Sequence, residues 1–166
     1  MKCGQIRQLG FSLIELSIAS AIFSMGLAGV SLMLLTAIMG TAEAGHQTIA
    51  ANSAGSLAEL IALNTDAAPH FINPELPENS TCIGTTVCSE TVMAASEVVN
   101  WQRELAAELP NGSGLVCRDS TPDDGHGLNH ACDGNGGLVV KVFWLEPFRV
   151  DTQDDGRRRL VARIPF

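Results

Sequence analysis

Between Glu15 and Glu43 the chain carries no charged residue, a run of 27 positions from Leu16 to Ala42. A helix needs about 20 apolar residues to cross the hydrocarbon of a bilayer. The run satisfies that length with turns to spare. Lys2 and Arg7 precede it with no acidic residue beside them, the pattern of a cytoplasmic flank under the positive-inside rule. Everything beyond Ala42 is then expected on the opposite side. Of the chain's 18 acidic and 10 basic residues, 17 and 8 lie in that portion. Its acidity argues against nucleic acid as a partner, since such binding relies on cations neutralising phosphates. Arg157, Arg158 and Arg159 are a local exception, expected as a solvated strand end or turn.

Glu15 stands at the head of the apolar run, where a lone carboxylate requires an explanation. A plain signal anchor gives it no role. A cleaved secretory signal could end at Ala42-Glu43-Ala44, but such signals have apolar cores of about 7–15 residues, far shorter than this one. A cut between Gly10 and Phe11 does give Glu15 a role. Phe11 then bears a new α-amino group, and Glu15 lies four residues on, on the same helix face. Negative charge is favoured at a helix N-terminus, and an amine partner lowers the penalty of a carboxylate in apolar surroundings. That amine belongs to the same chain or to a neighbour in a helical stack. In the second case a charge penalty becomes an assembly signal.

The stretch GFSLIELSIASAIFSMGLAG resembles the class III signal of type IV prepilins and pseudopilins. Its shared features are a short basic leader, Gly at the cleavage point, Phe next and Glu four residues later, here Gly10, Phe11 and Glu15. The resemblance implies a prepilin peptidase that removes the leader on the cytoplasmic side and N-methylates Phe11. It also implies an inner-membrane anchor that later packs into a filament. The segment CIGTTVCSETVMAASEVVNWQRELAAELPNGSGLVC is similar to one from a minor pilin of the same family. The implied divisions are a cleaved leader at 1–10, a transmembrane and filament-core helix at 11–42, the exported half of that helix at 43–63, and a periplasmic globular domain at 64–166. The implied partners are the peptidase, other minor pilins, the major pilin, the inner-membrane assembly platform and the bilayer itself. The rival role within this architecture is a minor pseudopilin of type II secretion, and the rival of another class is a membrane-anchored binding module with the acidic loops as its recognition surface.

The first proline after the apolar run is Pro69, so one helix is expected from about Ser12 to Leu63, ending near Asn64. Its exported half should pack through Ile49, Ser53, Leu57 and Leu60 or Ile61. The composition of ALNTDAAPHFINPELPENS is that of a loop. A second helix is expected in SETVMAASEVVNWQRELAAELPNGSG, with Val98, Trp101, Leu105 and Leu109 inward and Pro110-Asn111-Gly112 ending it. Short strands follow in GLVC (114–117) and LVVKVFWL (138–145), and FRV with RRRLVARI suggests a final antiparallel pair. The expected fold class is α+β and pilin-like: a long N-terminal helix, transmembrane in its first half, against a small antiparallel sheet.

Cys82, Cys88, Cys117 and Cys132 form an even set beyond the membrane, and Cys3 stands in the leader. Four cysteines allow three pairings, and an exported compartment permits disulfides. Local spacing favours Cys82 with Cys88 and Cys117 with Cys132, each pair bracketing a turn-rich stretch. No nucleophile motif frames a serine, and there is no phosphate-cradling loop, so no enzyme is expected. His126, His130 and Asp133 fall close together in DDGHGLNHACDGNGG. The calcium-loop pattern fails there, because Gly137 and Leu138 occupy ligand and turn positions, and zinc would compete with a disulfide for Cys132. The stretch reads as a flexible exposed loop with no metal, and no cofactor is expected. His46 and His70 carry no motif.

Overall fold

The computed structural model describes residues 10, 12–72, 74, 88–146 and 157–165. The chain divides into two compact units, Met1–Thr41 and Ala42–Phe166. Helix α1 (Leu13–Leu63, 51 residues) contributes to both. In the first unit it is apolar on every side, with Ile14, Leu16, Ile22, Phe23, Met33 and Leu34 exposed. An α-helix can enter lipid because its backbone polar groups are satisfied within the segment. Here the hydroxyls are satisfied in the same way. Ser17 donates to the Leu13 carbonyl at 2.9 Å, Ser24 to Ser20 at 2.7 Å, Ser31 to Leu27 at 2.8 Å and Thr36 to Met33 at 2.9 Å. The run therefore contains polar atoms without presenting unpaired ones.

In the second unit α1 is the spine of the core. Its buried positions are Ala50, Ala54, Leu57, Ala58 and Ile61. The seam thus keeps Leu57 and Ile61 from the expected face but takes alanines in place of Ile49 and Ser53, which are partly covered. At its end the Asn64 amide donates to the Leu60 carbonyl at 2.8 Å, satisfying a carbonyl that the helix itself leaves open.

Helix α2 (Glu90–Glu108) starts at Ser89, whose hydroxyl accepts from the Val92 N–H. Such N-caps are favoured because they satisfy an otherwise orphaned donor. Val98, Trp101 and Leu105 face inward. The Trp101 indole donates to the Ser53 carbonyl at 3.1 Å, tying α2 to α1. The following strand comes so close that a Cβ on Gly114 would lie 2.3 Å from the Trp101 ring.

Strands β1 (Ser113–Asp119), β2 (Gly137–Leu145) and β3 (Arg157–Arg163) form an antiparallel sheet in that spatial order. Strand β3 pairs with β2, with Val142 opposite Leu160 and Val140 opposite Ala162. That register sets apolar side chains against apolar ones. The expected pairing of RRRLVARI with FRV falls on residues 148–150, which lie outside the described residues. One face of β2, with Leu138, Val140, Val142 and Trp144, joins the helical core. The other, with Val139, Lys141 and Phe143, is equally buried. The β1–β2 connection covers it.

Candidate functional site

Gly10 is exposed, and a Cβ placed on it would meet nothing within 4 Å. Phe11 lies outside the described residues. Ser12 precedes the helix, and its carbonyl accepts the Leu16 N–H at 3.2 Å. Glu15 occupies the first turn of α1 and is exposed. Its carboxylate therefore sits where the helix dipole favours negative charge and where the apolar side chains begin.

Among the described residues of the second unit, three of the polar and charged contacts are ones that sequence patterns do not announce. Lys141, fully buried in the middle of β2, pairs with the buried carboxylate of Asp119. Its ammonium also donates to the His130 carbonyl at 2.9 Å and to the Asp124 carboxylate at 3.2 Å. These bonds fasten the base of the β1–β2 connection to the sheet. Cys117 and Cys132 are joined in a disulfide across the same connection, and His130 stacks on Phe143 at 5.4 Å. The connection is exposed at Leu128 and Asn129, so its tip matches the expected loop while its base is fixed. The Lys141 contact holds the Asp119 carboxyl below its ordinary pKa, and the Thr121 N–H adds to this. Asp133 is lowered as well, first by the Ser120 hydroxyl and then by the Asn135 N–H.

The second contact joins His46 of α1 to Glu146 at 3.0 Å, and the Trp144 indole donates to the same carboxylate oxygen at 2.8 Å. The third joins Glu43 to Arg158 at 3.0 Å. Each links two distant segments, and no local pattern could have revealed them. The grouping of Cys117, Asp119 and Cys132 has the proximity of a metal site, but the disulfide removes the thiolates that would bind one. Cys88 is disulfide-bonded, and its expected partner Cys82 lies outside the described residues.

Residues 6–31 match the family model described as the prokaryotic N-terminal methylation motif. The chain carries a prepilin-type methylation motif. It spans Gly10 and Glu15 and enters α1, so the processing signal and the membrane-length helix form one continuous segment. No curated protein and no solved structure matches the chain. Helix α1 reaches a mean hydropathy of 2.1 in its richest window and is long and apolar enough to cross a membrane. A methylation motif implies processing by a prepilin peptidase. The described residues of the second unit add no catalytic motif to it.

Proposed function

We propose that the chain is a minor pilin that takes part in type IV pilus assembly, most like the PilV kind of pilus modification protein. The observation that carries this reading is the methylation motif at 6–31 running directly into a 51-residue helix whose continuation forms the core of a small α+β domain. In this reading the prepilin peptidase cuts between Gly10 and Phe11 and N-methylates Phe11. A side chain at Gly10 would crowd a narrow peptidase cleft. The mature chain waits in the inner membrane, with its N-terminus cytoplasmic and the disulfide-bonded domain periplasmic, before joining other minor pilins, the major pilin and the assembly platform. The role of Glu15 is to meet the α-amino group of a neighbouring subunit.

Mass spectrometry of the chain extracted from membranes that contain a prepilin peptidase tests the first step. The expected mature terminus is N-methyl-Phe11, and Gly10→Val should block its formation. A terminus at Gly45, or an intact Met1 with active peptidase present, would overturn the reading.

A further inference from the structure

The two faces of β2 are closed by different means. Leu138, Val140, Val142 and Trp144 pack into the helical core. Val139, Lys141 and Phe143 lie under the β1–β2 connection, and the bonds that hold it there are polar. Among the described residues, the acceptors of the Lys141 ammonium are the Asp119 carboxylate, the Asp124 carbonyl (3.3 Å) and carboxylate (3.2 Å), and the His130 carbonyl (2.9 Å). Arg159 of β3 donates to the carbonyls of Asp123 and Gly125. All of these acceptors fall within residues 119–130, inside the loop that the Cys117–Cys132 disulfide closes.

The connection has almost no apolar core of its own. Of residues 120–136 only Pro122 is buried, so hydrophobic burial does little to keep it on the sheet. An ammonium left on an apolar face without acceptors is strongly disfavoured. Lys141 therefore stays buried only while the connection is closed. A cavity of about 490 Å³, lined by Leu115, Cys117, Arg118, Asn129 and Cys132 among others, reaches both sulfur-bearing residues. Cys117 is buried and Cys132 is half-buried, so a thiol or disulfide reagent meets Cys132 first.

We propose that the Cys117–Cys132 disulfide and the burial of Lys141 form one redox-controlled latch on the outer face of β2. In closing, both thiols lose their hydrogens and the S–S bond forms. A disulfide oxidant, with glutathione disulfide as the probe, takes up the two hydrogens and splits into two thiols. Reduction reverses this, lifts the connection and uncovers Lys141, Val139 and Phe143, while the helical face stays packed. Coupling between two equilibria is reciprocal, so the lysine cage favours the disulfide as much as the disulfide favours the cage. Oxidising compartments support disulfides and reducing ones do not, and closure of this face thus marks a domain that has reached the former.

The chain has two lysines, Lys2 and Lys141, which makes the latch directly readable. The full chain in neutral detergent is treated with an acetylating reagent, and the peptide containing Lys141 is followed by mass spectrometry. Cys117→Ala/Cys132→Ala, which leaves the Cys88 bond in place, should acetylate at Lys141 about thirtyfold faster or more than wild type, the lower end of what a disulfide typically contributes. Amide hydrogen exchange in α2 should not change. Equal acetylation of the two proteins would remove the latch. Faster acetylation with equally accelerated exchange in α2 would mean general unfolding and would also remove it. The reciprocal measurement decides the matter even where the double variant fails to fold. In glutathione buffers, with reduction read on the peptides containing Cys117 and Cys132, Asp119→Asn should reduce about tenfold more readily than wild type, in line with the loss of a hydrogen bond to a charged group. Val98→Ala, which weakens the helical face instead, should leave that equilibrium unchanged. No shift in Asp119→Asn, or the same shift in Val98→Ala, would show that the cage and the disulfide are not coupled.

Discussion

Glu15 has two possible energetic histories, and they predict opposite results. If the carboxylate merely tolerates the membrane edge, Glu15→Gln removes a charge and should be neutral or favourable. If it pairs with a neighbour's α-ammonium in an assembled stack, the substitution leaves that ammonium unpaired, at a cost of about 3–5 kcal/mol. Cleavage after Gly10 should proceed either way, because Glu15 is not at the scissile bond. The expected outcome is a processed, membrane-held variant that no longer co-purifies with other minor pilins. Normal co-assembly would reduce Glu15 to part of a peptidase signal. Glu15 was legible in the sequence because a charge at the edge of a charge-free run is conspicuous. Lys141 was not: in LVVKVFWL it looks like an outward polar residue, and what buries it comes from residues 119–130, which no local period reveals. Its partner Asp119 titrates below the ordinary carboxylate range in the folded chain. A lowered pKa contributes stability above the unfolded value of about 3.9, and that contribution is lost as pH falls through the folded value. Melting temperature should therefore show no effect of this pair between pH 5 and 8 and fall below about pH 4. In Asp119→Asn, melting temperature should start lower at neutral pH and fall less steeply in acid. Parallel curves for the two proteins would count against the pair.

At the scale of elements, both helices could be read from the sequence almost to the residue, because proline is absent before position 69 and Ser89 and Pro110 bracket α2. Which side of α1 is buried was harder to read. Alanine gives a weak apolar signal, so the Ala50, Ala54, Ala58 seam was hidden behind the louder Ile49 and Leu60. That β3 returns to β2 was not read from the sequence for a related reason: β2 is apolar on both faces and offers two edges, and a sequence does not say which segment returns to which edge. Close packing between elements is most severe where β1 passes Trp101. Gly114 leaves no room for a methyl group there. Overpacking typically costs about 1–3 kcal/mol, and Gly114→Ala should destabilise the domain by that amount in urea unfolding. Gly45→Ala, on α1 with open space around it, should instead be neutral or slightly stabilising, as expected for glycine replaced within a helix. Equal effects of the two substitutions would mean that β1 does not hold this distance from α2.

For the whole molecule, the question is how much of α1 belongs to the membrane and how much to the domain. The compact unit begins at Ala42, and several features agree on that boundary. Glu43 binds Arg158, His46 binds Glu146, Ala50 and Ala54 are fully buried, and the Ser53 carbonyl accepts from Trp101. All of these lie beyond the last residue of the charge-free run. A chain starting at Ala42 keeps every one of them and discards the exposed apolar segment, so it should fold as a water-soluble domain with the Cys117–Cys132 disulfide intact. A chain starting at Ser56 keeps Leu57, Ala58 and Ile61 but loses the two alanines, the Glu43–Arg158 ion pair, the His46–Glu146 hydrogen bond and the acceptor for Trp101. It should lack a cooperative thermal transition, because the inner faces of α2 and β2 then have no partner along half their length. Circular dichroism melts of the two fragments, with thiol titration to confirm the disulfide, decide the matter. A cooperative melt for the shorter fragment would mean that α1 merely leans on the domain, and the methylation motif would then be tethered to the domain, not built into it. Unfolding of the longer fragment would place the boundary inside the apolar run and make the membrane segment part of the fold.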